Sequence, residues 1–171
     1  MTTNKKLILG IILGAILLGG ILIYTKNFES SLAVNLPPKT EYATQFDAYV
    51  AATERIKIVG GFFPISVAGT GSMNPYILPA KPGQDPLTTI VAYVVIDPAQ
   101  TFESINNKKA QGKLIIYKAD WSNGQSVIHV LAQLDSGGWI LSGLGNAVSE
   151  PGWRVTKVNF IGVVDSTYVW K

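Results

Sequence analysis

Short runs of strand-forming residues, separated by turn-forming clusters, dominate the chain from residue 57 to its end. Valine, isoleucine, tyrosine and tryptophan recur in these runs, and such residues pack well on a pleated sheet. Glycine, proline, asparagine and aspartate fill the clusters between them. The pattern predicts a mainly β, antiparallel domain over residues 57–171, which is long enough to bury its own core. The predicted strands cover residues 63–67, 89–96, 113–117, 126–134, 139–142 and 160–168, and residues 136–138 are the expected loop of a hairpin.

An uncharged apolar run, residues 7–24, precedes this domain. At a rise of about 1.5 Å per residue it reaches about 27 Å, close to the thickness of a bilayer's hydrocarbon core. Lys5 and Lys6 lie directly before the run, which favours a cytoplasmic N-terminus and an extracytoplasmic domain. The sequence therefore predicts a single-pass membrane protein, with residues 1–6 in the cytoplasm and 7–24 as transmembrane anchor.

A cleavable signal peptide is the main alternative for this run, because residues 31–33 form a small-x-small site. The anchor is favoured because the run is long for a signal sequence and because Lys26 and Glu29 separate it from that site. A buried soluble helix is disfavoured because the run has no polar face. Gly10 and Gly14 form a GxxxG pattern, which would support self-association through the anchor.

Residues 25–56 connect the anchor to the β domain as a linker followed by a helix. Two consecutive prolines, Pro37 and Pro38, are typical of a linker. Thr40 is the expected N-cap of a helix that runs to residue 56. The helix is predicted to be amphipathic and to lie near the bilayer surface. Its apolar residues at helical spacing are Tyr42, Phe46, Tyr49 and Val50.

Composition excludes several kinds of chemistry. The chain has no cysteine, which excludes disulfides, thiol catalysis and cysteine-ligated metals, and it has one histidine, which excludes a histidine-rich metal site. No cofactor or metal is expected. The net charge of +3 is small and scattered, so nucleic acid is not an expected partner. Any reaction that needs an imidazole must use His129.

Residues 69–75, Gly-Thr-Gly-Ser-Met-Asn-Pro, directly follow a predicted strand. Glycines on both sides of Thr70 permit a tight backbone and the close approach of a substrate. A turn of this kind can present the hydroxyl of Ser72 and direct backbone N–H groups at an oxyanion. Taken alone, the segment is a weak signal, and an ordinary glycine-serine turn is the favoured interpretation.

Residues 70–75 resemble the nucleophile box of the type I signal peptidases, Ser-Gly-Ser-Met-x-Pro. Further blocks resemble that family in the same order. Residues 111–117 are similar to its Gly-Asp strand block, 143–151 to its Gly-Asp-x-Asn block and 154–164 to its closing strand. Residues 127–130 contain His129 and fall where the family has its catalytic base, which is a histidine in the archaeal and endoplasmic-reticulum type. The resemblance spans about residues 60–165 and implies a divergent member with the signal-peptidase-like β fold.

The resemblance implies a serine endopeptidase that removes signal peptides from secretory precursors after small-x-small motifs. Ser72 matches the nucleophile and His129 the general base. Thr70 matches the residue whose hydroxyl forms the oxyanion hole with the backbone N–H of Ser72. Glu150 matches an acidic position and is the candidate for orienting His129. The implied partners are signal peptides and the lipid bilayer.

The chain also departs from the family. Leu144 and Lys113 stand where the family has aspartates, Tyr76 replaces a threonine and Val130 an arginine. These departures motivate the alternative of a catalytically inactive, membrane-tethered β module with a structural or assembly role. Within the enzyme class, Lys113 and Lys118 are rival bases, although neither falls where the family has its base. Self-cleavage, as in LexA-type repressors, ranks lower because no DNA-binding segment is present.

Overall fold

The computed structural model describes residues 36–61, 63–119, 126–145 and 150–171. The predicted cytoplasmic N-terminus and anchor, residues 1–24, lie outside the described residues, as does most of the linker. Within the described ranges, no helix has both the length and the apolar character needed to span a membrane. The proposed domain boundaries and the membrane topology remain predictions.

One mainly antiparallel sheet forms the described part of the chain, which confirms the mainly β prediction. Its strands follow the order β2-β3-β8-β4-β5-β6-β7, and β1 pairs in parallel with the free part of β8. The β5–β6 turn spans Ser136 and Gly137, as the sequence predicts for a hairpin. The strands are β1 (Lys39–Tyr42), β2 (Ile65–Ala68), β3 (Ile90–Asp97), β4 (Leu114–Lys118), β5 (Ser126–Asp135), β6 (Gly138–Ser142), β7 (Glu150–Val155) and β8 (Phe160–Trp170).

The first helix, α1 (Gln45–Val59), begins later than the sequence predicts. Lys39–Tyr42 forms β1 and pairs with residues 167–170 of β8, so this segment cannot be helical. The N-cap is therefore Thr44, whose hydroxyl accepts a hydrogen bond from the Asp47 backbone N–H at 3.1 Å. The predicted N-cap at Thr40 is wrong. Two short helical turns, α2 (Phe102–Ile105) and a 3-10 turn (Lys108–Ala110), connect β3 to β4.

The face that α1 buries also differs from the prediction. The helix packs against the sheet through Ala48, Ala52 and Ile56, whereas Phe46 is 73% exposed and Tyr49 and Val50 are also exposed. Alanines let the helix approach the sheet closely enough to contact its large aromatic side chains, Tyr93 and Tyr168. Tyr49 still contacts the ring of Tyr93 edge-on, and Tyr42 lies in β1 rather than in the helix. The predicted apolar stripe is therefore not the buried face of the helix, and a location of the helix near a bilayer remains a prediction.

A bidentate ion pair joins α1 to the sheet. Arg55 donates from Nε and from one terminal nitrogen to the two carboxylate oxygens of Asp165, each at 2.7 Å. The hydrogen bonds from Arg55 hold the pKa of the Asp165 carboxyl below its ordinary value. Paired geometry of this kind fixes orientation, so the helix is held on β8 by polar as well as apolar contacts.

Alternation along the strands gives the sheet two faces. The first face carries a cluster built from Val67, Ala92, Val94, Leu114, Ile116, Ile128, Val130 and Val164. Met73 and Ile77, from the loop that follows β2, pack against it. The second face is covered by α1 at one end and, toward β6, by Ile105 and Ala110 from the helical turns. His129 pairs with Ile115 across β4 and β5, so its side chain is directed to the second face.

Candidate functional site

Ser72 lies in a tight turn just after β2. The Asn74 backbone N–H donates to the Gly71 carbonyl oxygen at 3.1 Å, which makes Ser72 and Met73 the two central residues of the turn. Gly71 has a φ of 83°, a left-handed conformation that favours glycine. Behind the turn, Gly69 bonds through its N–H to Thr89 and through its carbonyl to Ala80. The glycines of the motif therefore permit the tight backbone of this turn, as the sequence predicts.

A long-range hydrogen bond attaches this turn to the end of β6. The Gly145 backbone N–H donates to the Ser72 carbonyl oxygen at 2.9 Å. β6 ends at Ser142, which pairs with Val130, so β6 does not extend along the N-terminal part of β5. Ser72 thus lies beyond the end of β6. Its neighbour Met73 packs in the first-face cluster with Ile128 and Val130, the two residues that flank His129.

Gly145→Ala is expected to displace the Ser72 turn. A Cβ at this position would lie 2.5 Å from the Gly71 carbonyl oxygen, and that backbone oxygen cannot move without moving the turn. We expect a loss of about 2 kcal/mol in the free energy of unfolding, measured by urea denaturation. The control is Gly137→Ala at the other end of β6, where the closest contact of the added Cβ is an ordinary 3.4 Å. Equal losses in both variants would contradict the predicted clash.

Thr70 and Ser72, two of the candidate site residues, lie side by side in this turn. Their hydroxyl oxygens lie 3.3 Å apart, and either can donate. This distance is long for an O–H···O hydrogen bond, so the contact holds neither group tightly. Within the described part of the chain, the backbone N–H of Ser72 makes no hydrogen bond. A backbone N–H and a threonine hydroxyl beside the serine are the donors that an oxyanion hole requires.

His129 lies in β5 with a side chain only 2% exposed. Its Nδ1 atom lies 3.3 Å from the Tyr117 hydroxyl oxygen. Among the described residues, no hydrogen bond joins His129 to Ser72. The structure therefore forms two pairs, Thr70 with Ser72 and His129 with Tyr117, and no direct bond between them. Hydrogen bonds between catalytic groups are often long before substrate binds, so the dyad remains a prediction.

The other predicted site residues fall outside this arrangement. Glu150 is the first residue of β7 and pairs with Leu141 through the backbone, but its side chain lies outside the described part. Leu144 is half-buried against the first-face cluster, where an aspartate would lose its hydration. Lys113 donates to Gln100 at 2.8 Å. The other rival base, Lys118, is exposed at the end of β4.

Tyr76, one of the departures from the family pattern, supports the site through contacts that the sequence does not predict. Its hydroxyl donates to the Pro37 carbonyl oxygen at 2.8 Å and lies 3.0 Å from the Thr167 hydroxyl. These contacts attach the loop that follows Ser72 both to β8 and to the segment before β1. Burial raises the pKa of Tyr76 to about 12. The two partners lie 39 and 91 residues away in the chain, so no local pattern could have revealed them.

The raised pKa of Tyr76 predicts a loss of stability in alkali. The folded state retains the phenolic proton up to about pH 12, whereas the unfolded chain releases it near pH 10. The stabilisation is therefore fully present below about pH 10 and is lost as the pH rises toward 12. Because the side chain is half-buried, we expect the free energy of unfolding to fall by about 1 kcal/mol more in the wild type than in Tyr76→Phe. Parallel pH profiles of urea unfolding for the two proteins would contradict this.

Comparisons with known proteins identify no relative. No protein-family model matches the chain, and no curated protein and no solved structure matches it either. A functional proposal therefore depends on the geometry around Ser72 and on the order of the sequence blocks.

Proposed function

We propose that this chain is a membrane-anchored serine endopeptidase of the signal-peptidase type. In this mechanism the Ser72 hydroxyl attacks the scissile carbonyl and its proton passes to His129. The amine of the mature protein leaves with that proton, and water then hydrolyses the acyl-enzyme. The substrates are secretory precursors that are cut after a small-x-small motif.

The observation that carries the proposal is the hydrogen bond from Gly145 to the Ser72 carbonyl oxygen. It joins the two sequence segments that the family resemblance assigns to the nucleophile box and to a later conserved block. It also holds the Ser72 turn beyond the end of β6. The two segments are 73 positions apart, so the fold rather than the local sequence brings them together.

The donors beside Ser72 support the same chemistry. The Ser72 backbone N–H and the Thr70 hydroxyl both lie at the turn, and the described structure uses neither in a strong hydrogen bond. Donors that are already in position stabilise the developing oxyanion without first reorganising. A turn with a purely structural role would more commonly use these groups in its own hydrogen bonds.

Free strand edges near Ser72 offer a mode of substrate binding. No described strand pairs with the outer edge of β2, and β6 covers β5 only from Val130 onward. An extended peptide can add to such edges as a further strand. It would be flanked by residues 63–66 before the nucleophile and 126–128 before the base. Shallow apolar pockets on these segments would accept alanine and exclude larger side chains.

The surroundings of His129 favour the non-catalytic alternative. His129 is buried, its ring lies against Tyr117 on the second face, and Met73 beside Ser72 packs on the first face. A histidine bonded within an apolar strand can serve the fold alone. In that case the chain is a membrane-tethered β module with a structural or assembly role.

Cleavage of a precursor separates the two candidates. The full-length chain, purified in detergent, is incubated with a precursor whose signal peptide ends in Ala-x-Ala, and the products are mapped by mass spectrometry. We expect one cut after the second alanine, together with labelling of the protein by a serine-directed acylating probe. Ser72→Ala should abolish both. Equal cleavage by both proteins, or no cleavage and no labelling across several precursors, would refute the protease and favour the module.

A further inference from the structure

The segment that leads into β1 is held against the loop that carries Ser72. The Tyr76 hydroxyl donates to the Pro37 carbonyl oxygen at 2.8 Å. Leu36 packs against the first-face cluster, which includes Met73, the neighbour of Ser72. One polar and one apolar contact therefore fix the point at which the preceding part of the chain joins the domain.

This point lies near the nucleophile because the loop from Ser72 to Tyr76 is compact. The Ile77 backbone N–H donates to the Met73 carbonyl oxygen at 3.0 Å, a bond with the i to i+4 spacing of an α-helical turn. Tyr76 is therefore folded back toward Ser72, and its hydroxyl brings Pro37 to the same loop.

The residues just before Pro37 carry a sequence of the class that the proposed protease cuts. Residues 31–33, Ser-Leu-Ala, form a small-x-small motif. They lie outside the described residues, and their separation along the chain sets how far they reach. Ala33 precedes Pro37 by four residues, which span at most about 14 Å when fully extended. The bond between Ala33 and Val34 is therefore confined to the neighbourhood of the Ser72 loop of the same molecule.

We propose that the chain cuts its own linker between Ala33 and Val34. This inference rests on the proposed function and names a further substrate of the same site. The Ser72 oxygen bonds to the Ala33 carbonyl carbon, the bond to the Val34 nitrogen breaks, and the amine leaves with the proton that the base took from the serine. Water then hydrolyses the ester, which restores Ser72 and leaves a carboxylate on Ala33. The products are residues 1–33 and the domain from Val34 onward.

Attachment to the same molecule favours this substrate over a separate peptide. A short linker gives the attached motif an effective concentration on the order of millimolar, so the motif is cut even where its own affinity for the site is weak. The reaction separates the β domain from the apolar run, residues 7–24. It differs from the self-cleavage of a repressor, because it needs no DNA-binding segment.

Mass spectrometry of the full-length chain in detergent detects the reaction. We expect the wild type to shorten, during expression or incubation, to a product that begins at Val34, and Ser72→Ala to stay intact. Ala33→Phe should abolish the cut, because a small pocket excludes the ring. Leu32→Phe places the same ring at the middle position of the motif and should be cut like the wild type. Shortening of Ser72→Ala at this bond, or no difference between the two phenylalanine variants, would overturn the proposal.

Two kinetic measurements show whether the cut occurs within one molecule. The rate constant should not change when the protein is diluted. Tyr76→Phe removes the hydrogen bond to Pro37 and should slow self-cleavage about 5-fold more than it slows the cleavage of a separate precursor, the effect of one lost hydrogen bond. A rate constant that falls in proportion to dilution, or equal slowing of both reactions in Tyr76→Phe, would overturn cleavage within the molecule.

Cleavage of a separate Ala-x-Ala precursor distinguishes failure of this inference from failure of the proposed function. A protein that cuts the precursor while its own linker stays intact would refute self-cleavage and leave the signal-peptidase role. A protein that cuts its linker but no precursor would support self-cleavage and refute the role in precursor processing. A protein that cuts neither would refute both.

Discussion

Ser72→Ala, His129→Ala and the double variant should all lose about the same activity, a fall of about 10⁴-fold or more in kcat. A nucleophile and its base act as one unit, because the serine hydroxyl attacks only as its proton is removed. Once either member is absent, the second has nothing left to contribute. Single-turnover cleavage of an Ala-x-Ala precursor by the three variants measures this non-additivity directly.

The informative controls are the rival lysines. Lys118 is exposed at the end of β4 and Lys113 is bonded to Gln100, so neither Lys118→Ala nor Lys113→Ala should reduce kcat appreciably. A large loss in either lysine variant would move the role of base away from His129. If the losses in Ser72→Ala and His129→Ala instead multiply in the double variant, the two residues act independently and the dyad is refuted.

The strands that the sequence predicts are those with an unbroken run of β-branched and aromatic residues. Every predicted strand is present in the structure, with ends that differ by up to a few residues. The sequence does not predict β7, because Pro151 and Gly152 interrupt it and such residues ordinarily mark the end of a strand. β1 was not predicted because it has only four residues and is stabilised by pairing with the C-terminal strand, over a hundred positions away.

The error in α1 has a physical cause in side-chain size. Phe46, Tyr49 and Val50 recur at helical spacing, and large apolar residues usually mark the buried face. The helix instead packs through two alanines and Ile56, because Tyr93 and Tyr168 already fill the space above the sheet. The spacing of apolar residues within the helix does not reveal the size of the sheet side chains that the helix packs against. The buried face of the helix could therefore not be identified from the sequence.

The candidate site contains both local contacts and contacts between residues that are far apart in the sequence. The contact between Thr70 and Ser72 is local, because two residues within one glycine-flanked turn make it. The hydrogen bond from Gly145 and the Tyr117 contact with His129 depend instead on strand register and on packing between distant segments. In the sequence, Tyr117 and His129 are only a tyrosine and a histidine in separate strands. Many other strand registers would keep these two side chains apart.

Thr70→Val should lower kcat for precursor cleavage by about 10²-fold to 10³-fold, or about 3 kcal/mol in transition-state stabilisation. Valine has nearly the same shape as threonine but lacks the hydroxyl, so the turn should keep its form. Because the side chain is exposed, the free energy of unfolding should change by no more than about 0.5 kcal/mol. KM should change little, since the hydroxyl bonds the oxyanion more strongly than the substrate carbonyl.

Thr70→Ser separates this role from a role in shaping the turn. Serine retains the hydroxyl and loses only a methyl group, so it should recover most of the activity that valine loses. If Thr70 served the backbone instead, both substitutions would be tolerated or both would destabilise the turn, and urea unfolding would detect the second case. A rise in KM with unchanged kcat in Thr70→Val would mean that the hydroxyl binds the substrate in its ground state. Because the 3.3 Å contact to Ser72 is too long to occupy the threonine fully, we expect its proton to be available to an oxyanion.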